Sequence, residues 1–129
     1  MLKCQPCGLA ILRIVVGIVF FAHGYQKMFK LGIHGVAGFF GHSGIPLPLV
    51  AATIVTLVEF IGGILLVTGL ATRLPAALNA IDMIVAIFVV HFRHGFWNQN
   101  MGYEFPLTLL AATLCLVLAG GGAASLEKL

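Results

Sequence analysis

The stretch that decides the fold is residues 50–69, VAATIVTLVEFIGGILLVTG, an apolar run that carries a single charged side chain, Glu59. At about 1.5 Å per residue, a helix of this length crosses the roughly 30 Å of hydrocarbon in a lipid bilayer. Backbone N–H and C=O groups must be paired within the protein in lipid, and the chain has too few such segments to close a strand barrel. The stretch therefore predicts a transmembrane helix.

Three further apolar segments flank this one, at residues 9–28, 74–91 and 106–119. Between the second and third segments, residues 69–75 read GLATRLP. Gly69 suits a helix end, Thr72 a helix N-cap and Pro75 the first turn of the next helix, so this turn predicts an antiparallel helix pair. We predict an all-α integral membrane protein, a four-transmembrane-helix bundle in a single membrane domain over residues 1–129.

The longest connection, residues 29–49, is rich in glycine and proline and is predicted to be a surface loop. Val36, Phe39 and Phe40 within it could form a short amphipathic stretch on the membrane surface. Four crossings place both termini on one side of the membrane. The cytoplasmic side is predicted for them, because Arg13 adds to the cations on the terminal side.

Composition excludes several classes of protein. Hydrophobic residues make up 60% of the 129 residues and charged residues 9%, with a mean hydropathy of +1.10. A soluble enzyme, a nucleic-acid-binding domain or a disordered tail would need many more charges on its surface. The net charge of +3 is spread along the chain without a basic patch, so the predicted partners are the lipid bilayer and other membrane protein subunits, and no nucleic acid.

Small and polar residues recur at helical spacing in three of the apolar segments. Each set shares one helix face and combines a polar or charged side chain with residues small enough for close packing. The faces are Arg13, Gly17, Phe20, Gly24 and Lys27 in the first segment, Glu59, Gly62, Gly63 and Leu66 in the second, and Asn79, Asp82 and Ala86 in the third. We expect the three faces to meet inside the bundle.

Depth within the membrane sorts the ionisable residues into two predicted clusters. Measured from the terminal side, Arg13 lies about 6 Å deep, Asp82 about 12 Å and Glu59 about 15 Å. These three are predicted to form an inner, catalytic cluster in which one carboxyl group keeps its proton. A second, more solvated cluster is predicted near the opposite surface, from His23, Lys27, His91 and Glu104.

Structural explanations compete with these site predictions. A buried Arg13–Asp82 pair could serve only to fix the helix register. His23 is most simply a hydrogen-bonded histidine of the bundle, and His91 with His94 suits a helix C-terminus. No metal site is predicted. Cys4-Gln5-Pro6-Cys7 has the spacing of a redox dithiol, although two reduced or lipidated juxtamembrane cysteines would give the same pattern.

Several motifs, in order along nearly the whole chain, resemble the DoxX family of small membrane proteins. They are Leu12-Arg13-Ile14 with Gly17, Phe21, His23-Gly24 and Lys27; Phe39 with Gly44-Ile45-Pro46; Glu59-Phe60-Ile61-Gly62-Gly63 with Gly69-Leu70-Ala71-Thr72-Arg73; Gly102-Tyr103-Glu104-Phe105-Pro106-Leu107; and the tail from Gly120 to Leu126. Cys4, Cys7 and Asp82 do not map onto the family pattern.

The resemblance implies a four-helix protein of a bacterial-type inner membrane with a link to redox physiology. Family members are linked to thiosulfate:quinone oxidoreductase subunits and to membrane complexes that handle oxidative or thiol stress. The resemblance favours Arg13, Glu59, Arg73 and Glu104 as the positions that matter.

The leading functional hypothesis is therefore a subunit of a quinone-linked oxidoreductase complex. Arg13 or His23 would meet the quinone carbonyl oxygens, and Glu59 or Asp82 would relay protons. The sequence has no haem, flavin or iron–sulfur motif, so a partner subunit, or Cys4 and Cys7, would have to carry the electrons. Two alternatives remain open: a non-enzymatic accessory subunit of a larger membrane complex, and a small transporter or proton path.

Overall fold

The computed structural model describes residues 4–126, and the regular structure within that range is helical throughout. The five α-helices are α1 (Gln5–Tyr25), α2 (Ile33–His42), α3 (Pro48–Thr68), α4 (Arg73–Val85) and α5 (Glu104–Ala119). Two of them continue without a break into other helical turns. α1 continues into a π-helical turn, Gln26–Leu31. α4 continues into a π-helical turn, Ala86–His91, which is followed by a 3-10 turn, Phe92–His94. A further 3-10 turn, Asn98–Asn100, precedes α5.

Three of these helical segments are long and apolar enough to cross a membrane: Gln5–Leu31, Pro48–Thr68 and Arg73–His94. The fourth, α5, is a shorter apolar helix of 16 residues. The predicted all-α membrane class is confirmed, and the chain is a membrane protein. The first and third of these segments extend beyond the predicted 9–28 and 74–91 at both ends.

The connection over residues 29–49 is more ordered than a surface loop, because it contains α2. Val36 and Phe40 lie on one face of α2 and are buried against Ala52 near the start of α3, whereas Phe39 remains 46% exposed. The predicted amphipathic stretch is thus a helix that packs on the bundle itself. It covers the end of the bundle at which α1 ends and α3 begins.

Glycines set the contact between α1 and α3, the helices that pack together most extensively. A Cβ atom on Gly17 would lie 2.8 Å from Val67, and one on Gly63 would lie 2.7 Å from Phe21 Cα and from Gly17 O. A Cβ atom on Gly24 would come equally close to Phe60. The backbones therefore touch, as the small residues of the predicted faces require. On the other side of α3, Gly62 makes room for Asn79 of α4.

The turn between α3 and α4 has the predicted helix end at Gly69 but lacks the predicted side-chain cap at Thr72. Gly69 ends α3 in the left-handed conformation, with φ at +72°, where other residues are strained. Thr72 precedes α4, but its hydroxyl makes no capping hydrogen bond and has no partner within residues 4–126. The two helices pack against each other, and α5 packs on α4 to complete the bundle.

Candidate functional site

A buried ion pair joins α1 to the middle of α3. Lys27, in the π-helical turn that extends α1, places its Nζ 2.8 Å from Glu59 Oε1. The Glu59 side chain is 4% exposed and that of Lys27 19%. A carboxylate at this depth is costly unless a cation or a proton accompanies it, and Lys27 supplies the cation.

Asp82 of α4 brings a second carboxyl group to the same place. The carboxyl group of Asp82 interacts with that of Glu59, and Lys27 is close enough to act on Asp82 electrostatically. Asp82 Oδ2 is buried, and no donor reaches it from the described part of the chain. Three helices thus contribute one ammonium and two carboxyl groups to a single polar cluster, Lys27–Glu59–Asp82.

This cluster forms part of the wall of a cavity of about 550 Å³. The cavity lies between α1, α3, α4 and the start of α5, at the end of the bundle that α2 and the connection to α5 cover. Its walls are mostly apolar, with Phe20, Val36, Phe40, Met83 and Leu109 among the lining side chains. The other polar residues that line it are His23, Gln26, His91 and Asn98. An apolar cavity with a few converging polar groups is the usual form of a small-molecule site.

Both π-helical turns line this cavity. The first contributes Gln26, Lys27 and Leu31, and the second contributes Ala86, Val90 and His91. A π turn inserts extra backbone into a helix and frequently occurs at functional sites. Nothing in the sequence indicated either turn, and without them Lys27 and His91 would project in other directions from their helices.

The two histidines of the cavity are each held through the same ring atom. His23 Nδ1 lies 2.8 Å from Val19 O, and His91 Nδ1 lies 2.7 Å from Met101 O. Because a carbonyl oxygen can only accept, Nδ1 carries a proton in both rings, and Nε2 of each neutral ring is an acceptor. No group of three or more potential ligands within residues 4–126 has the arrangement of a metal site.

Arg13 does not belong to the acidic cluster, and this predicted grouping was wrong. Its guanidinium is fully buried at the other end of the bundle, and its hydrogen-bond partners within residues 4–126 are backbone oxygens. Nε donates to Leu66 O at 2.9 Å, Nη1 to Gly121 O at 2.8 Å and to Ala123 O at 3.1 Å, and Nη2 to Ala124 O at 3.1 Å. Arg13 thus ties α1 to the end of α3 and to the segment that follows α5.

The register between α1 and α3 accounts for the position of Arg13. The sequence-based depths assume that residues 9 and 69 are level with each other. In the structure Gly24 lies beside Phe60 and Phe21 beside Gly63, so residue 69 is level with residue 15. The shift of about six residues, or about 9 Å, moves Arg13 past the end of α3 and brings Lys27 to Glu59.

The structure combines the remaining predicted residues differently from the two predicted clusters. His23, Lys27 and His91 line the same cavity as Glu59 and Asp82, so most of the two clusters becomes one site. Glu104 is half-buried in the first turn of α5 and is not among the residues that line the cavity. Arg73 is exposed at the start of α4.

Cys4 and Cys7 form a disulfide at the start of α1, and both residues are exposed. From Cys7 to Lys27 the helical path is about 30 Å at 1.5 Å per residue. The cysteines and the cavity therefore lie at opposite ends of the bundle.

The architecture described so far is that of a small multi-pass membrane protein with an apolar cavity and a buried ion pair. The sequence profile of the DoxX family matches residues 8–92. The chain belongs to this family.

Relatives match the chain over most of their length. It is 37% identical to "Putative oxidoreductase CatD" of Bacillus subtilis (strain 168), over 92% of this chain and 83% of that protein. It is 31% identical to a membrane protein of Mycobacterium tuberculosis (strain H37Rv), Rv3486, over 95% and 81% respectively. It is 30% identical to the inner membrane protein YphA of Escherichia coli (strain K12), over 96% and 91%. No solved structure matches the chain.

Proposed function

We propose that the chain is an inner-membrane subunit of an oxidoreductase complex and that its cavity binds a quinone. The observation that carries this proposal is the Lys27–Glu59–Asp82 cluster in the wall of an apolar cavity of about 550 Å³. That volume is in the range that encloses a small organic ligand. A quinone has an apolar ring and tail with two polar oxygens, which is the combination of surfaces that this cavity offers.

The residues of the cluster have complementary roles in this proposal. Reduction of a quinone to a quinol consumes two electrons and two protons. Lys27 would donate a hydrogen bond to a quinone oxygen and stabilise the negative charge that develops there. Glu59 and Asp82 would hold one proton between them, which satisfies the otherwise unpaired Asp82 Oδ2 and keeps a proton beside the ligand.

The electrons would come from a partner subunit. The disulfide of Cys4 and Cys7 lies about 30 Å from Lys27 along α1, so its position does not favour the alternative in which these cysteines feed the cavity. The name of the Bacillus subtilis relative supports an oxidoreductase context, and that of YphA supports the inner membrane. Cytoplasmic termini remain a prediction.

Quinone binding can be measured through the single tryptophan of the chain, Trp97. It neighbours Asn98, which lines the cavity, so a bound quinone should quench its fluorescence. We expect saturable quenching when decylubiquinone is added to the protein in detergent. Glu59→Gln and Lys27→Met should each weaken binding at least tenfold, whereas Glu104→Gln, a matched change outside the cavity, should leave it unchanged. Non-saturable quenching, or an equal effect of both glutamine variants, would contradict the proposal.

Membership in a complex is tested separately. Extraction from the native membrane in mild detergent, followed by a native gel with optical spectra and mass identification, should show the chain migrating with a haem- or flavin-bearing protein. Migration as a small colourless species would remove the oxidoreductase complex from the proposal. If the chain is a non-enzymatic accessory subunit, it should still migrate with the complex after Glu59→Gln, and it should not bind decylubiquinone.

A further inference from the structure

The first turn of α1 is closed by the Cys4–Cys7 disulfide in a position open to other molecules. Cys4 is the residue that caps the helix, and residues 4–8 are all exposed. The backbone N–H of Cys7 donates to Cys4 Sγ at 3.2 Å. This donor, at the positive end of a helix with no acidic residue in its first turn, would stabilise negative charge on Cys4 Sγ when the disulfide opens.

The peptide between the two cysteines also holds the segment that follows α5. Pro6 O accepts a hydrogen bond from Ala123 N–H at 2.9 Å. Gly122 packs closely on Leu9 and Ala10 of α1. We call residues 120–126 the C-terminal segment. It is therefore fastened at two places along α1, to Pro6 inside the disulfide loop and to Arg13 two turns later through the carbonyls of Gly121, Ala123 and Ala124.

We propose that Cys4 and Cys7 are a thiol–disulfide exchange site for a small thiol or a protein dithiol, and that the redox state of this site controls how firmly the C-terminal segment is docked. The site is distinct from the quinone cavity, since it lies at the other end of the bundle. Two cysteines three residues apart at a helix start remain close together when reduced. The disulfide can therefore re-form without rearrangement of the bundle.

The exchange is a balanced two-step reaction. A thiolate of the reductant attacks Cys7 Sγ, the Cys4–Cys7 bond breaks, and a mixed disulfide forms between Cys7 and the reductant. Cys4 leaves as a thiolate that accepts the hydrogen bond of Cys7 N–H and then takes up a proton. A second thiol of the reductant attacks the reductant sulfur that is bound to Cys7, the mixed disulfide breaks, and Cys7 leaves as a thiolate that takes up the second proton. The chain gains two electrons and two protons, and the reductant becomes a disulfide.

A redox titration separates an exchange site from a structural disulfide. Structural disulfides resist reduction by glutathione, whereas exchange sites equilibrate with it. The third cysteine of the chain, Cys115 in α5, is free and would be replaced by serine. In this Cys115→Ser background, the purified protein would be equilibrated with reduced and oxidised glutathione in different ratios and alkylated with a polyethylene glycol maleimide. We expect a single transition from no adduct to two adducts. A chain that remains without adducts at every ratio would overturn the proposal.

The order of attack is tested in the same background. With Cys4→Ser, Cys7 should accumulate a mixed disulfide with glutathione, seen as an added mass of one glutathione per chain. Cys7→Ser, which leaves Cys4 in the same background, is the matched control and should accumulate at least tenfold less, because Cys4 is the better leaving group. Equal or greater accumulation on Cys4 would overturn the assignment.

The link to the C-terminal segment has its own readout. Hydrogen exchange should become at least threefold faster at Ala123 N–H in the reduced protein than in the oxidised protein, while Val36 N–H, which bonds within the α2 end of the bundle, should not change. Equal protection of Ala123 in both states would overturn the coupling. Binding of decylubiquinone is a separate measurement, so failure of either site is recognised independently of the other.

Discussion

Lys27 Nζ lies 2.8 Å from Glu59 Oε1 although 32 residues separate them along the chain. The contact follows from the way α1 and α3 pack, because Gly24 beside Phe60 and Gly63 beside Phe21 hold the two antiparallel helices in one register. In that register Glu59 is level with Tyr25, within one turn of Lys27. The ion pair at membrane depth therefore depends on glycines that carry no charge themselves.

A double-mutant cycle on this pair should show strong coupling. Lys27→Met leaves the Glu59 carboxylate without its cation, and Glu59→Gln leaves the Lys27 ammonium without its anion. Each variant should lower the free energy of unfolding by about 3 kcal/mol. The double variant should cost much less than the sum of the two. Unfolding in mixed micelles with increasing SDS measures all three. Lys30→Met, at an exposed neighbouring lysine, is the control and should have little effect. Additive costs would show that the pair is not coupled.

Alanine substitutions at two glycines of α1 should have opposite effects. A Cβ atom at Gly24 would collide with Phe60, so Gly24→Ala should destabilise the protein by about 1–3 kcal/mol. A Cβ atom at Gly8 meets no atom within 4 Å, and alanine is the better helix former there. Gly8→Ala should therefore be neutral or slightly stabilising in the same micelle unfolding experiment. A similar loss at both positions would argue against the close α1–α3 contact.

Much of the fold could be predicted from local sequence. An apolar segment long enough to cross the membrane must be helical, because unpaired backbone groups are costly in lipid. The helical spacing of Gly17, Gly24, Gly62 and Gly63 indicates the faces along which the helices pack. The helix ends were less well predicted. The sequence has no local signal for a π turn, so neither Gln26–Leu31 nor Ala86–His91 could be anticipated.

The site was only partly predictable, because it depends on register between helices. Glu59 and Asp82 lie in the wall of one cavity, because both are on helix faces that pack inside the bundle. Arg13 does not join them, because the register differs by six residues from the one that the sequence-based depths assume, and that distance exceeds the reach of a side chain. The small residues that set this register can be recognised in the sequence. Which of them contact each other depends on how two helices pack together, and the sequence of one helix alone does not determine that.

Asp82→Asn should be well tolerated if Glu59 and Asp82 share one proton. An amide at this position can donate to Glu59 and adds no charge, so the free energy of unfolding should change by less than about 1 kcal/mol. Asp82→Ala removes the interaction with Glu59 and leaves a void, and it should cost about 2 kcal/mol more than Asp82→Asn. SDS unfolding compares the two. If asparagine is as damaging as alanine, both carboxyl groups are needed in the charged form and the shared proton is wrong.

The docking of α2 on the bundle predicts a difference between adjacent phenylalanines. Phe40 is 9% exposed and packs with Val36 on Ala52, whereas Phe39 is 46% exposed. Phe40→Ala should destabilise the protein by about 3 kcal/mol, and Phe39→Ala by less than about 1 kcal/mol. Limited proteolysis between α2 and α3 provides a second measurement, since only Phe40→Ala should expose this region. Equal proteolysis of both variants would mean that α2 is not held by its buried face.

Arg13→Lys should be nearly as harmful as Arg13→Met, which is unusual for a conservative change. The guanidinium serves Leu66, Gly121, Ala123 and Ala124 through three different nitrogens that point in fixed directions, and a single ammonium cannot reach the same set of carbonyls. Both variants leave buried carbonyl oxygens without donors and should cost about 3 kcal/mol, with faster hydrogen exchange at Ala123. Arg73→Lys is the matched control, because Arg73 is exposed and should tolerate the change.

Binding of decylubiquinone should remain close to that of the unmodified chain in every Arg13 variant that stays folded, because the cavity lies at the other end of the bundle. Stability retained in Arg13→Lys would show that charge, and not the geometry of the guanidinium, holds the C-terminal segment.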